Sequence, residues 1–112
     1  MSDIKFQIDE KNKVVICKLM NCKDIAEDRI WKYTNDFMGR KYRIPNVFIG
    51  VARCAPEDEF NVEYGKKIAL TRAKIKRSKA INNEIKAYIK RARKNLENLE
   101  KYGIHKVPEI EY

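Results

Sequence analysis

Ile4, Phe6 and Ile8 alternate with Lys5 and Gln7, a period of two that predicts a half-buried strand. The polar run DEKNK at 9–13 interrupts the apolar positions, and VVICKL at 14–19 resumes them with β-branched residues. Together the two segments predict an antiparallel hairpin. From 21 to 39 the period changes. Ala26, Ile30, Tyr33 and Phe37 recur at helical spacing and form one apolar stripe, with Asn21 or Asp24 to cap its start and Gly39 its end. RKYRIP at 40–45 is a basic connector stopped by Pro45. NVFIGVARC at 46–54 reads as a third strand, in which Gly50 marks a bulge or a close backbone approach.

Helix is expected from Asn61 to Tyr102, with Asn61 as N-cap, Glu63 in the first turn and Gly103 and Pro108 beyond the end. Ile68, Ala69 and Ala73 give it a narrow small-residue face. Unbroken, about 41 residues would span roughly 60 Å, more than a small domain can cover. Either such a helix packs against another chain or, the favoured reading, the polar stretch KRSKAINN at 76–83 forms a break or bend, with Ser78 or Asn82 capping a second helix. Ile81, Ile85, Tyr88, Ala92, Leu96 and Leu99 then follow one another at three- and four-residue spacings, the narrow stripe of a helix–helix dimer seam.

The expected fold is α+β in one domain, 1–112: a small N-terminal antiparallel sheet with one intervening helix (1–54), then a long C-terminal helix or helix pair (61–102), oligomerising through the C-terminal helices. A chain of this length buries a modest core, which fits shared stability between subunits.

Charge alters this picture more than composition does. Apolar residues make up 44%, ordinary for a globular chain, but charged residues reach 37% and the net charge is +9. Between Lys66 and Lys94 stand twelve basic residues and one acid, Glu84, a net +11 in that segment alone. Like charges at i and i+4, such as Arg72 with Lys76 or Lys86 with Lys90, disfavour a bare helix, so an anionic partner is expected. No apolar run is long enough to span a membrane, and MSDIKFQIDE lacks the pattern of a secretory signal, so a cytoplasmic protein is expected.

A small nucleotide needs arginines forked onto phosphates and an aromatic ring beneath a base. The ingredients are Arg40, Arg43, Arg53, Arg72, Arg77, Arg91 and Arg93 beside Tyr42, Phe60, Tyr64 and Tyr88. No helix-turn-helix, zinc-finger or RNA-recognition motif is legible, which leaves non-specific nucleic-acid binding as the alternative. Cys17, Cys22 and Cys54 with the single His105 lack metal-site spacing and read as reduced thiols. Neither a nucleophile–base pair nor a glycine-rich phosphate loop is evident, and neither enzyme activity nor a cofactor is expected. Glu57, Asp58 and Glu59 are adjacent, point in different directions, and suit a turn ahead of a helix N-terminus.

The stretch CAPEDEFNVEYGKKIALTRAKIK resembles a pattern of small proteins from phages and prophages of low-GC Gram-positive bacteria. A strand there ends in Cys/His-x-Pro-x-Asp-x-Phe and feeds a helix reading Gly-Lys-x-Ile-Ala-x-x-Arg-Ala. Its elements here are Cys54, Pro56, Asp58 and Phe60, then Gly65, Lys66, Ile68, Ala69, Arg72 and Ala73. The whole plan is similar to the Thoeris anti-defence sponges, oligomers that sequester cyclic ADP-ribose and cyclic oligonucleotide signals without cleaving them. The resemblance implies that function, exercised in the cytoplasm of an infected or lysogenic bacterium. On chemistry alone, the candidate ligand residues are Arg53, Phe60, Tyr64, Arg72, Lys76, Arg77 and Arg91. The expected partners are a nucleotide or other phosphate-bearing small molecule and further copies of the chain. The alternatives are a basic DNA- or RNA-binding accessory protein, or an inhibitor of a host nucleic-acid-binding factor.

Overall fold

Three strands pair in the order β1-β2-β3, all antiparallel: β1 is Ile4–Asp9, β2 Val14–Leu19 and β3 Phe48–Arg53. The computed structural model describes residues 3–34 and 44–110. A short helix, α1 (Ile25–Thr34), lies between β2 and β3 in the chain, and a single long helix, α2 (Val62–Asn98), follows β3 and ends in a π-helical turn at Leu99–Gly103. The α+β plan read from the sequence is the plan of the molecule. Phe37, Gly39 and the connector at 40–43, Arg40, Tyr42 and Arg43 included, lie outside the described residues.

The hairpin closes through its polar run. Asp9 accepts hydrogen bonds from the backbone N–H of Asn12 at 3.1 Å and from its side-chain amide at 2.8 Å. Lys13 leaves the turn with φ 54°, the left-handed residue that ends a short hairpin loop. Register then sets the faces. Ile8, Val15 and Ala52 stand in one row, Phe6, Cys17 and Gly50 in the next, Ile4, Leu19 and Phe48 in the third, and all nine share one face.

α2 lies across the β2 and β3 parts of that face. Val15, Cys17, Leu19, Ala52, Ala69 and Ala73 are all buried there, and full burial of a Val or Leu side chain stabilises by about 1.5–3 kcal/mol. Contact is close because the contacting residues are small: Gly50, Ala69 and Ala73 bring helix and strand backbones together, the close approach Gly50 predicted. β1 lies beyond the helix. Its alternation is as expected, but Phe6 and Ile8 are 36% and 41% exposed, and Lys66 stands over the Phe6 ring with its ammonium 5.5 Å from the centroid.

Three expectations need correction. The polar stretch at 76–83 contains no break. It holds neither Gly nor Pro, its polar residues face solvent on the outer side, and Ile81 on the inner side is buried in the core, so α2 continues through it. Ser78 and Asn82 are therefore helix-interior residues and cap nothing. Ile81, placed in the dimer seam, is instead part of the protomer's own core, with Ile85 packed against it. Finally, among the described residues of the α1 stripe, Ala26 and Ile30 alone are buried. Tyr33 is 68% exposed, with Arg29 and Lys32 beside its ring at 5.6 and 5.5 Å.

The uninterrupted helix gives the molecule its outline, 92 × 29 × 17 Å. Sheet, α1 and the first half of α2 form a body. From about Ile85 onward α2 and its π-helical turn form an arm that carries Leu96, Leu99 and Tyr102 exposed.

Candidate functional site

Between the end of β3 and the first turns of α2, the chain folds back on itself in CAPEDEF, and several separate bonds fix it. The Lys13 ammonium donates to the carbonyls of Pro56 (3.0 Å) and Asp58 (2.5 Å), while its own carbonyl accepts the N–H of Cys54 at 2.9 Å. Asp58 N–H closes a turn onto Ala55 O, and the Cys54 thiol points at the carbonyls of Asp58 and Glu59. The segment thus organises itself through its carbonyls around the half-buried Lys13, and the carboxylates of Glu57, Asp58 and Glu59 are left exposed. Asn61 caps α2 as expected, its side-chain oxygen accepting Tyr64 N–H at 3.1 Å.

This geometry opens a recess of about 190 Å³ lined by Arg53, Cys54, Phe60, Asn61, Tyr64 and Ile68 among others. Phe60 is half-buried along it and Tyr64, 64% exposed, stands at its mouth. Gly65 also lines it, packed so closely on the sheet that a Cβ there would meet a Val15 methyl at 2.8 Å. The volume is below the roughly 300–1,000 Å³ of sites that enclose drug-sized ligands. It has room for one aromatic ring or one anionic group.

The seven ligand residues chosen from sequence therefore fall into three places. Arg53, Phe60 and Tyr64 converge on the recess. Arg72 and Lys76 reach round the open edge of β3, where Arg72 Nη1 donates to Val51 O at 2.6 Å and Lys76 Nζ to Ile49 O at 2.8 Å. Arg77 and Arg91 sit further along α2, away from the recess. Arg72 and Lys76 are thus tied to main-chain acceptors of an edge strand, a partner that sequence could not show because strand order was not legible.

Comparison of the chain with protein-family models, with curated proteins and with solved structures finds no match.

The site therefore stands on its geometry. Residues that sequence reading missed are Lys13, which holds the loop, and Cys54, Asn61 and Ile68 as lining. The only forewarning was that Lys13 ends the polar turn facing the strand whose end becomes the loop. A second basic surface lies on the arm, where Lys86, Lys90, Arg93 and Lys94 line a shallow trough with Ile89 and Glu97. One helix forms all of it. Elsewhere, Cys17 and Cys22 are buried and unpaired, and burial raises the Cys17 thiol above its ordinary pKa, with Lys74 opposing in part. No helix among the described residues is long and apolar enough to cross a membrane.

Proposed function

We propose that the protein is a non-catalytic binder of a small phosphorylated nucleotide, and that cyclic nucleotide immune signals of the kind sequestered by the anti-defence sponges it resembles are its ligands. The observation that carries this reading is the convergence of Arg53, Phe60 and Tyr64 on one recess. Phe60 and Tyr64 offer faces to a base, and Arg53 offers a planar fork to a phosphate. The recess receives one such group, so the remainder of a cyclic ligand lies outside it, over the basic side of α2.

A thermal-shift series with cyclic ADP-ribose, cyclic dinucleotides and their linear counterparts tests the reading. Stabilisation of several degrees by a cyclic nucleotide, abolished in Tyr64→Ala and Arg53→Ala, supports it. Arg72→Ala divides the candidates: an unchanged shift leaves Arg72 with the β3 edge alone. No shift with any nucleotide defeats the proposal.

The arm trough favours a second reading, non-specific nucleic-acid binding along backbone phosphates. That reading requires log affinity for a random duplex to fall steeply and linearly with log salt, and Lys90→Ala with Lys94→Ala to flatten the slope.

A further inference from the structure

The arm has an order that the body does not need. Taken from Ile85, one stripe of apolar positions runs Ile85, Tyr88, Ala92, Leu96 and Leu99 and is symmetric about Ala92, with Ile89 beside it. Ile85 and Leu99 lie equally far from it, as do Tyr88 and Leu96. Equally far out along the chain stand Ile81 and Gly103, the latter at the end of the π-helical turn. A helix stripe that reads with the same spacing in both directions matches itself across a two-fold axis when two copies run antiparallel. The smallest side chain of the stripe then stands at the crossing, where the backbones come closest.

Charge selects the same direction. Residues 86–94 hold five cations and no acid, whereas 95–103 hold Glu97, Glu100 and one cation, Lys101. Side-by-side parallel arms would set Lys86 against Lys86 and Glu97 against Glu97, whereas Arg91 and Arg93, flanking Ala92, meet arginines of the other copy in either direction. Antiparallel arms bring Lys86 of each copy to the Glu97–Glu100 end of the other, and the helix dipoles oppose favourably. Leu96 and Leu99 are 59% and 60% exposed and, among the described residues, take no part in the body's apolar core.

We infer that the arm is an antiparallel two-fold interface with a second copy of this chain, with Ala92 at its centre, Tyr88 against Leu96 and Ile85 against Leu99. Ile81 already belongs to the body core, so its opposite number, Gly103 of the second copy, arrives at the edge of the first copy's body. The tail beyond Gly103, with Ile104, Val107 and Ile110 about four-fifths exposed, is then delivered to that body and not to solvent. This holds whatever the recess binds.

Light scattering on the full chain should return twice the monomer mass, and Leu96→Asp should return the monomer mass. Orientation is read by cross-linking in a Cys54→Ser background. Tyr88→Cys and Leu96→Cys variants, carrying different tags, are oxidised separately and as a mixture. The antiparallel order yields a disulfide-linked dimer only in the mixture, and only between unlike tags. Cross-links within either variant alone overturn it in favour of parallel arms. Absence of any cross-link, or a monomer mass for the unaltered chain at all concentrations, overturns the interface itself. Nucleic acid co-eluting with a monomer does so too, since it gives the arm a different occupant.

Discussion

Gly50 faces the backbone of Ala69 so closely that a β-carbon placed on it would lie 1.9 Å from the Ala69 carbonyl oxygen and 2.5 Å from the Ala73 nitrogen. The clash is with main chain, which no rotamer change relieves. Gly50→Ala should therefore force α2 away from β3 and destabilise by about 3 kcal/mol, the upper part of the range for overpacked cores. Chemical denaturation measures this. Ala69→Gly should not restore the loss, because it leaves the obstructing carbonyl in place; a full rescue would show that the helix and strand are not in this contact.

Lys13 gathers the loop ahead of α2 through the carbonyls of Pro56 and Asp58. Lys13→Met retains the stem and removes the donor. The expected cost is about 1–2 kcal/mol. Hydrogen exchange should accelerate at 55–60 with little change in the β1–β2 ladder. Equal acceleration across the whole sheet would mean that Lys13 supports the fold in general and not this loop.

Arg72 and Lys76 close the β3 edge, so their joint replacement by alanine should do two things. Stability should drop by only about 1 kcal/mol, since both groups are exposed. Concentration-dependent aggregation with rising thioflavin fluorescence should appear as well, because the edge carbonyls become available to another strand. Lys86→Ala with Lys90→Ala removes the same charge from the arm and serves as control. Similar aggregation in both would trace the effect to net charge.

Asp9 carries a pKa below the ordinary carboxylate value of 3.8, chiefly because the Asn12 side chain donates to it, with the Asn12 backbone adding to the effect. A lowered folded-state pKa means that ionisation favours the fold. Its contribution is complete above the ordinary value and disappears as pH falls through the folded-state value. In Asn12→Ala the Asp9 carboxyl resonance should titrate at higher pH than in the parent. An unmoved midpoint would remove Asn12 as the cause.

Much of this architecture was legible because it depends on local signals. The DEKNK turn between two apolar runs, Asn61 at a helix start and a lone glycine within a strand each have a local physical meaning, and each took the expected form. The failures share a different cause. KRSKAINN looked like an interruption because its polarity was weighed without its periodicity: Ile81 keeps the inward face continuous while the outward face is free to be polar. Phe6 and Tyr33 were placed on the apolar face of a strand and of a helix from pattern alone, yet pattern does not say how far a covering helix extends. The place of Arg72 and Lys76 beside the β3 edge was not legible, because residue type shows a charge but not the edge strand within its reach. Arg53, Phe60 and Tyr64 were chosen for their chemistry, and the turn that brings them together depends on Lys13, some forty residues earlier in the chain.

The two rims of the sheet are unlike. Along β3 the acceptors are occupied by side chains from α2; along β1, among the described residues, no further strand is paired. The sheet is thereby given a direction of growth. A fourth strand, whether it comes from a partner, a captured peptide or a misfolded neighbour, finds one rim sealed and must be added beside Ile4–Asp9.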